Sequence, residues 1–516
     1  MGGGEWPGIV RYNGRRSLKA GAAMLGNRKA NGLRPLIRNC IFAGCVLLFA
    51  SPLLAQDASH KQHASANSST VTALLVSDIH FEPFWDPAKV PQLVSAPVGR
   101  WKAILASTPS PNQAQRFDQL QQTCHARGVD TPFALFDASL RAMQQNGSGA
   151  GFSVLSGDLL AHSFSCKYAT LFPTASPEQY REFVEKTLQF VTAELRASLP
   201  RAPLYAALGN NDSDCDDYRL DAGSAFLAAS ADDFTSQVDK AERKKAQQDF
   251  AAGGNYSALL PAPLRNARLL VLDDLFLSRR YATCSGKPDI KAAAGQIAWL
   301  RSQLASAREH KEKIWVVAHI PPGVDPYATI LRARNVCGGQ APEMFLTSNE
   351  LTQAVTEFSD VVQLVLFAHT HMDELRLLRP DTGKTGKDVA AKLVPSISPI
   401  HGNNPSFVLA AVDAASAVMT DYRVIASSDK AGTAWREEYD FDRAYGVQEF
   451  APASLRRIIA ELAADPAAKS EASAAYLKSY FKNTASIPAA AFWPEYVCAL
   501  SNSTEASFES CFCGNR

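Results

Sequence analysis

Val71-Thr72-Ala73-Leu74-Leu75-Val76-Ser77-Asp78-Ile79-His80 is an apolar run that closes on a carboxylate and an imidazole, and four later segments repeat the arrangement. Run 152–155 leads into Gly157-Asp158, run 204–208 into Gly209-Asn210-Asn211-Asp212, run 314–317 into Ala318-His319, and run 361–367 into Ala368-His369-Thr370-His371. Near-continuous Val, Leu and Ile without alternation suits strands covered on both faces, so the pattern predicts an α/β fold. Ligands bind at the carboxyl ends of strands in open α/β sheets. Two Asp, one Asn and four His are therefore expected to converge on one edge of one sheet, as a dinuclear metal site.

Carboxylate, carboxamide and imidazole together suit Zn, with Fe or Mn as alternatives, better than the all-oxygen cages of Ca. Two cations roughly 3.5–4 Å apart need a shared ligand, and a carboxylate bridges best. Asp158 is the expected bridge, since it stands alone after Gly157, whose freedom lets the backbone turn tightly. Cations so placed generate hydroxide near neutrality, hold two oxygens of a phosphate and neutralise charge during in-line attack. A leaving alkoxide needs a proton, and His162, four residues after Asp158, is the expected general acid. The alternative for His162 is an orienting hydrogen bond to a metal ligand.

The bulk properties exclude some classes. With 52 basic and 51 acidic residues in 516, the formal net charge is +1, and no bulk field points to nucleic acid or to an anionic membrane surface. Arg34 and Arg38 precede the apolar run 41–54, and Ala55 offers a small residue before Gln56. This predicts a signal peptide over 1–56, with Met24 as an alternative start and an uncleaved anchor as the other reading. The run is short for a membrane span, so the mature chain is expected to be secreted or periplasmic. Residues 57–70 read as a flexible leader in which His60 and His63 are solvated. Eight cysteines remain after the signal: Cys124, Cys166, Cys215, Cys284, Cys337, Cys498, Cys511 and Cys513. An even count in an exported chain predicts disulfides, with the pairing open. Wide spacing without paired CxxC units argues against zinc on these thiols.

The strand-and-motif region spans 71–425, with helices near 131–143, 177–195, 296–310 and 348–358 and with Ser176 and Ser348 as N-caps. Residues 216–254 are polar and helix-prone, an insertion that either overhangs the metal site or lies solvated on the surface. The apolar strand pattern stops at Ala426. Helices over 455–462 and 474–481, with cysteines near the end, predict a small helical, disulfide-bearing C-terminal region over 426–516.

The ordered motifs resemble the calcineurin-like metallophosphoesterase superfamily, whose pattern is D-x-H, G-D, G-N-H-[DE], H and G-H-x-H. Ser77-Asp78-Ile79-His80-Phe81-Glu82-Pro83-Phe84, Gly157-Asp158-Leu159-Leu160-Ala161-His162, His319-Ile320-Pro321-Pro322-Gly323 and Ser398-Pro399-Ile400-His401-Gly402-Asn403-Asn404-Pro405 are similar to the acid sphingomyelinase-like phosphodiesterases and the endopolyphosphatases. The resemblance implies two packed mixed β-sheets flanked by helices. It implies one metal on Asp78, His80, Asp158 and His371, and a second on Asp158, Asn210, His319 and His369. Asn211 stands where the superfamily has a catalytic His, which moves the proton-donor burden toward His162, and Ala368 replaces the Gly of G-H-x-H.

The expected activity is hydrolysis of a phosphodiester or phosphoanhydride by an exported monomer, with a small phosphoester, phospholipid or polyphosphate as substrate. The alternatives are a broad phosphomonoesterase and a non-catalytic binding protein stabilised by metal. Phe81, Phe84 and Trp85 form either an apolar lip for transient membrane contact or a loop packed on the sheet.

Overall fold

A computed structural model describes residues 69–481 and 487–514. The signal peptide expected over 1–56 and almost all of the leader lie outside the described residues.

The apolar runs form strands as read, because each buries both faces. β1 (Thr70–Val76), β2 (Ala150–Leu155) and β3 (Leu204–Ala206) pair in parallel. The remaining strands are β4 (Tyr256–Leu259), β5 (Ala267–Val271), β6 (Lys313–Val317), β7 (Val362–Phe367), β8 (Glu374–Leu378), β9 (Val389–Leu393), β10 (Ser406–Asp413), β11 (Met419–Ser427) and β12 (Trp435–Asp440). They make two mixed six-stranded sheets, ordered β12-β11-β10-β1-β2-β3 and β4-β5-β6-β7-β9-β8. Phe152 of β2 meets Trp315 of β6 edge-on at 5.7 Å between them.

Two mixed sheets are what the family resemblance implies, and they correct only the placement of every ligand on one edge of one sheet. Three motifs follow β1, β2 and β3 of the first sheet, and two follow β6 and β7 of the second. An apolar run states that a strand is covered on both faces and carries no label for its sheet. A second correction falls at the expected boundary of 426, because β11 runs to Ser427 and β12 follows it. β12 is an edge strand reading Trp-Arg-Glu-Glu-Tyr-Asp. Charged residues suit an exposed edge and erase the apolar signal.

The helix Pro177–Ser198 starts at Ser176 through a reciprocal capping box with Gln179 and buries a stripe of Phe183, Val184, Leu188, Val191 and Leu195. Ser348 is not a cap; Asn349 holds that position at the helix Glu350–Glu357. In the insertion, the helices Ala225–Thr235 and Arg243–Gly253 stack Phe234 on Phe250 at 4.9 Å, and both rings are buried in the same core as the sheets. Phe81 and Phe84 are fully buried and Trp85 packs on Phe117, so these three make no apolar lip. Among the described residues no helix is long and apolar enough to cross a membrane. Disulfides join Cys124–Cys166, Cys215–Cys284, Cys337–Cys513 and Cys498–Cys511.

Candidate metal centre

The strand ends present their side chains through strained backbone. Asp78, His80, Asp158, His369 and His371 have φ of 45°, 44°, 57°, 69° and 65°. Left-handed backbone in non-Gly residues clusters where the surrounding structure enforces it. Asp78 N and His80 N donate to Gly157 O and Asp158 O at 3.0 and 2.9 Å. Asp212, fully buried, accepts from Leu159 N, Leu160 N and Gly209 N and so pins the loop after β2 to the loop after β3. Gly157 has φ 95°, and a Cβ there would come within 2.8 Å of Gly209 N and His319 Nδ1. Ala368 replaces a family glycine at no conformational cost, since it is absent from the left-handed positions and its methyl is buried.

Two groups of ligand-type atoms result, and Asp158 belongs to both. His371 Nε2 lies 3.1 Å from His80 Nε2 and 3.5 Å from Asp78 Oδ1, while His80 Nε2 is 3.4 Å from Asp158 Oδ2. On the other side, His319 Nε2 is 3.2 Å from Asp158 Oδ2 and 3.1 Å from Asn210 Oδ1. His369 completes a cluster with Asp158 and His319 whose ligand atoms fall within 4.8 Å of one another. His80 Nδ1 and His319 Nδ1 donate to the carbonyls of Leu160 and Ser156 at 2.8 and 2.7 Å, which leaves both Nε2 lone pairs turned inward. Asn210 Nδ2 donates to Asp217 Oδ1 at 2.8 Å and thereby turns its amide oxygen to the site.

These atoms fit divalent cations. Neither oxygen of the fully buried Asp78 accepts a hydrogen bond of good geometry, and His371 Nδ1 has no partner. Lone pairs facing lone pairs in a buried site are an arrangement that positive charge resolves. Without cations, burial pushes Asp78 up to about 7 and His80 down to about 4. Burial would also raise Asp158, but the positive charge that His319 takes up in the metal-free chain, together with the Asn211 N–H, outweighs it and holds the carboxyl well below its usual range.

The remaining expected residues separate by role. His162 stacks on His80 at 4.1 Å, and its Nδ1 lies 3.1 Å from Asp130 Oδ1. Asp130 also accepts from His162 N and Ser398 Oγ. Burial works to lower the His162 pKa, but Asp130 outweighs it and raises the group to about 9. Asn211, at the position of the superfamily's catalytic His, donates to both carboxylate oxygens of Asp158, N to Oδ1 at 2.9 Å and Nδ2 to Oδ2 at 3.0 Å.

A cavity of about 500 Å³ opens on Asp158, Asn210, His162, His369 and His371. From the insertion only its first residues, Asp217 and Tyr218, line it. Tyr218 Oη is 3.2 Å from His369 Nε2, and the Arg280 guanidinium lies 3.8 Å over the Tyr218 ring. Asp130, Asp217, Tyr218 and Arg280 carried no motif in the sequence. Proximity of Asp217 and Tyr218 to Cys215, and of Arg280 to Cys284, becomes a signal only once that disulfide is known.

A calcineurin-like phosphoesterase family model matches residues 71–373, so the chain belongs to that family and is a phosphoric ester hydrolase. Its relatives are those of the acid sphingomyelinase-like branch. It is 26% identical over 401 residues to the cyclic GMP-AMP phosphodiesterase of Rattus norvegicus, covering 74% of this chain and 81% of the relative. It is 23% identical over 454 residues to the acid sphingomyelinase-like phosphodiesterase 3b of Homo sapiens, covering 84% and 89%. A sphingomyelinase phosphodiesterase C of Dictyostelium discoideum is 22% identical over 304 residues, covering 57% and 61%.

Proposed function

We propose that this chain is an exported dinuclear hydrolase of phosphodiesters. The observation that carries the reading is the sharing of Asp158 Oδ2 between two clusters of inward-facing donors. Asp78, His80, Asp158 and His371 would hold one divalent cation, and Asp158, Asn210, His319 and His369 the other, with Zn first and Fe or Mn as alternatives. Such a pair activates water and neutralises charge on the phosphoryl oxygens.

The protein's own groups do the rest. Asn211 holds both carboxylate oxygens of Asp158 in one orientation. Asp130 engages Nδ1 of His162, so Nε2 is the nitrogen free to deliver a proton to a leaving alkoxide in the cavity. Accessibility of the ligands from the cavity favours an enzyme over a binding protein that keeps metal as a staple, because a staple gains nothing from being open. Export is supported by the signal-like N-terminus and by four disulfides.

The test compares bis(p-nitrophenyl) phosphate with p-nitrophenyl phosphate, using mature protein and an Asp158→Asn control. Diester turnover lost in the control is the expected result. Preference for the monoester would move the assignment to a phosphomonoesterase, and metal binding without turnover of either ester would favour the binding protein.

A further inference from the structure

One imidazole in the cavity takes no part in holding metal or in serving the leaving group. Of the four that line it, His162 engages Asp130, His369 engages Tyr218 and His371 meets His80. Among the described residues, His401 alone of the four has neither ring nitrogen hydrogen-bonded. Its ring meets His371 edge-on, with 4.4 Å between centroids and planes 73° apart, and lies 6.3 Å from His162 at 79°. His401 therefore stands on the cavity side of the cluster that Asp78, His80 and His371 form.

The turn that carries it is fixed at several points. Gly402 N donates to Pro399 O at 2.9 Å, which closes a turn with Ile400 and His401 at its tip, and Gly402 takes φ 97° there. Just upstream, Ser396 N donates to His371 O at 3.2 Å and Ser398 N to Asp78 O at 3.0 Å. Asn403, fully buried, donates through Nδ2 to Ser396 Oγ at 2.8 Å and to Ser398 O at 3.1 Å. The backbone around His401 is thus tied to residues that would hold one cation, while its ring stays open to the cavity. A donor positioned in advance costs no reorganisation when charge develops on a substrate oxygen. Asn211 supplies no such donor, because its amide is engaged by Asp158.

We infer that His401 donates a hydrogen bond to a non-bridging oxygen of the phosphoryl group under attack, while His162 serves the leaving oxygen. Rings 6.3 Å apart let two oxygens of one phosphorus accept from both at about 3 Å. The contact needs one N–H and transfers no proton. The inference rests on the hydrolase reading and deepens it by adding a catalytic residue from the segment that follows β9.

The test uses zinc-loaded protein and two methyl phosphodiesters that differ only in the leaving group, p-nitrophenol or phenol. His401→Leu is expected to lower kcat/KM about 10²-fold, by the same factor for both esters and with bound zinc unchanged. His401→Gln, which keeps an N–H, is expected to recover part of the loss. His162→Gln, by contrast, is expected to lose more on the phenyl ester, whose leaving group is poorer. An unchanged rate in His401→Leu, a loss that deepens on the phenyl ester, or a loss matched by missing zinc overturns the inference. Should the unaltered protein hydrolyse neither ester, the hydrolase reading fails separately, and calorimetry of zinc-loaded protein with inorganic phosphate still decides the contact. Binding that His401→Leu weakens about tenfold or more supports it; equal binding, or none by the unaltered protein, refutes it.

Discussion

Asp78 concentrates the residue-scale physics of the centre: left-handed backbone, complete burial and two oxygens without good donors. Its carboxyl is raised from 3.8 to about 7 in the folded, metal-free chain, first by burial. A raised carboxyl pKa contributes stability that is complete below the unfolded value and lost as pH rises through the folded value. In chelator-treated protein, thermal stability is therefore expected to fall between about pH 4 and pH 7, and Asp78→Asn is expected to flatten that slope, as melting curves across the range would report. A slope that Asp78→Asn leaves unchanged would contradict it. Asp130→Asn is expected to lower kcat about 10²-fold and to move the alkaline limb of the rate profile to lower pH, because Asp130 is what raises His162. Unchanged limbs would remove His162 from proton transfer. Gly209→Ala is expected to weaken metal binding, read as zinc bound per chain, and to lower stability, since the added methyl collides with both the carboxylate and the backbone N of Asp158. Residues in these roles divide sharply in legibility. Ligands were readable because each closes an apolar run; Asp130 was not, because it lies in a loop after Gly128-Val129 and meets His162 only in three dimensions.

At the scale of elements, the strand runs were readable and their distribution over two sheets was not, for the reason that β1 and β6 look alike as buried runs. Pairing of cysteines was equally hidden, and it matters for the site. Cys215–Cys284 closes 69 residues and lies beside the short pairing of Tyr218 with Ala282, which sets Asp217, Tyr218 and Arg280 in the cavity wall. A Cys215→Ser, Cys284→Ser double variant is expected to lose about 2–4 kcal/mol of stability and to show a higher KM with a smaller change in kcat. Denaturant melts and steady-state kinetics separate the two effects; an unchanged KM would show that the wall holds without the crosslink.

Across the described residues, the main core runs from β1 to Trp493 and Tyr496, so the helix Trp493–Ala499 packs into the catalytic core, while Phe508 and Phe512 of the last helix pack with Val324 and Val336 in a smaller cluster. Expectation had set the tail apart, because amphipathic helices look self-sufficient in sequence while their partners lie far away along the chain. Cys513, whose partner the sequence leaves open, reaches back to Cys337 across 176 residues. The ligand set was thus legible from strand ends, whereas the cavity walls, assembled from segments near 217, 280, 325, 374, 480 and 496, were not. The most direct test of the dinuclear claim is to titrate metal-stripped protein with zinc while following hydrolysis of bis(p-nitrophenyl) phosphate and counting bound metal. Activity should reach its maximum at two equivalents per chain and stay absent at all loadings in Asp158→Asn. Full activity at one equivalent, or in the stripped protein, would contradict a shared carboxylate between two cations.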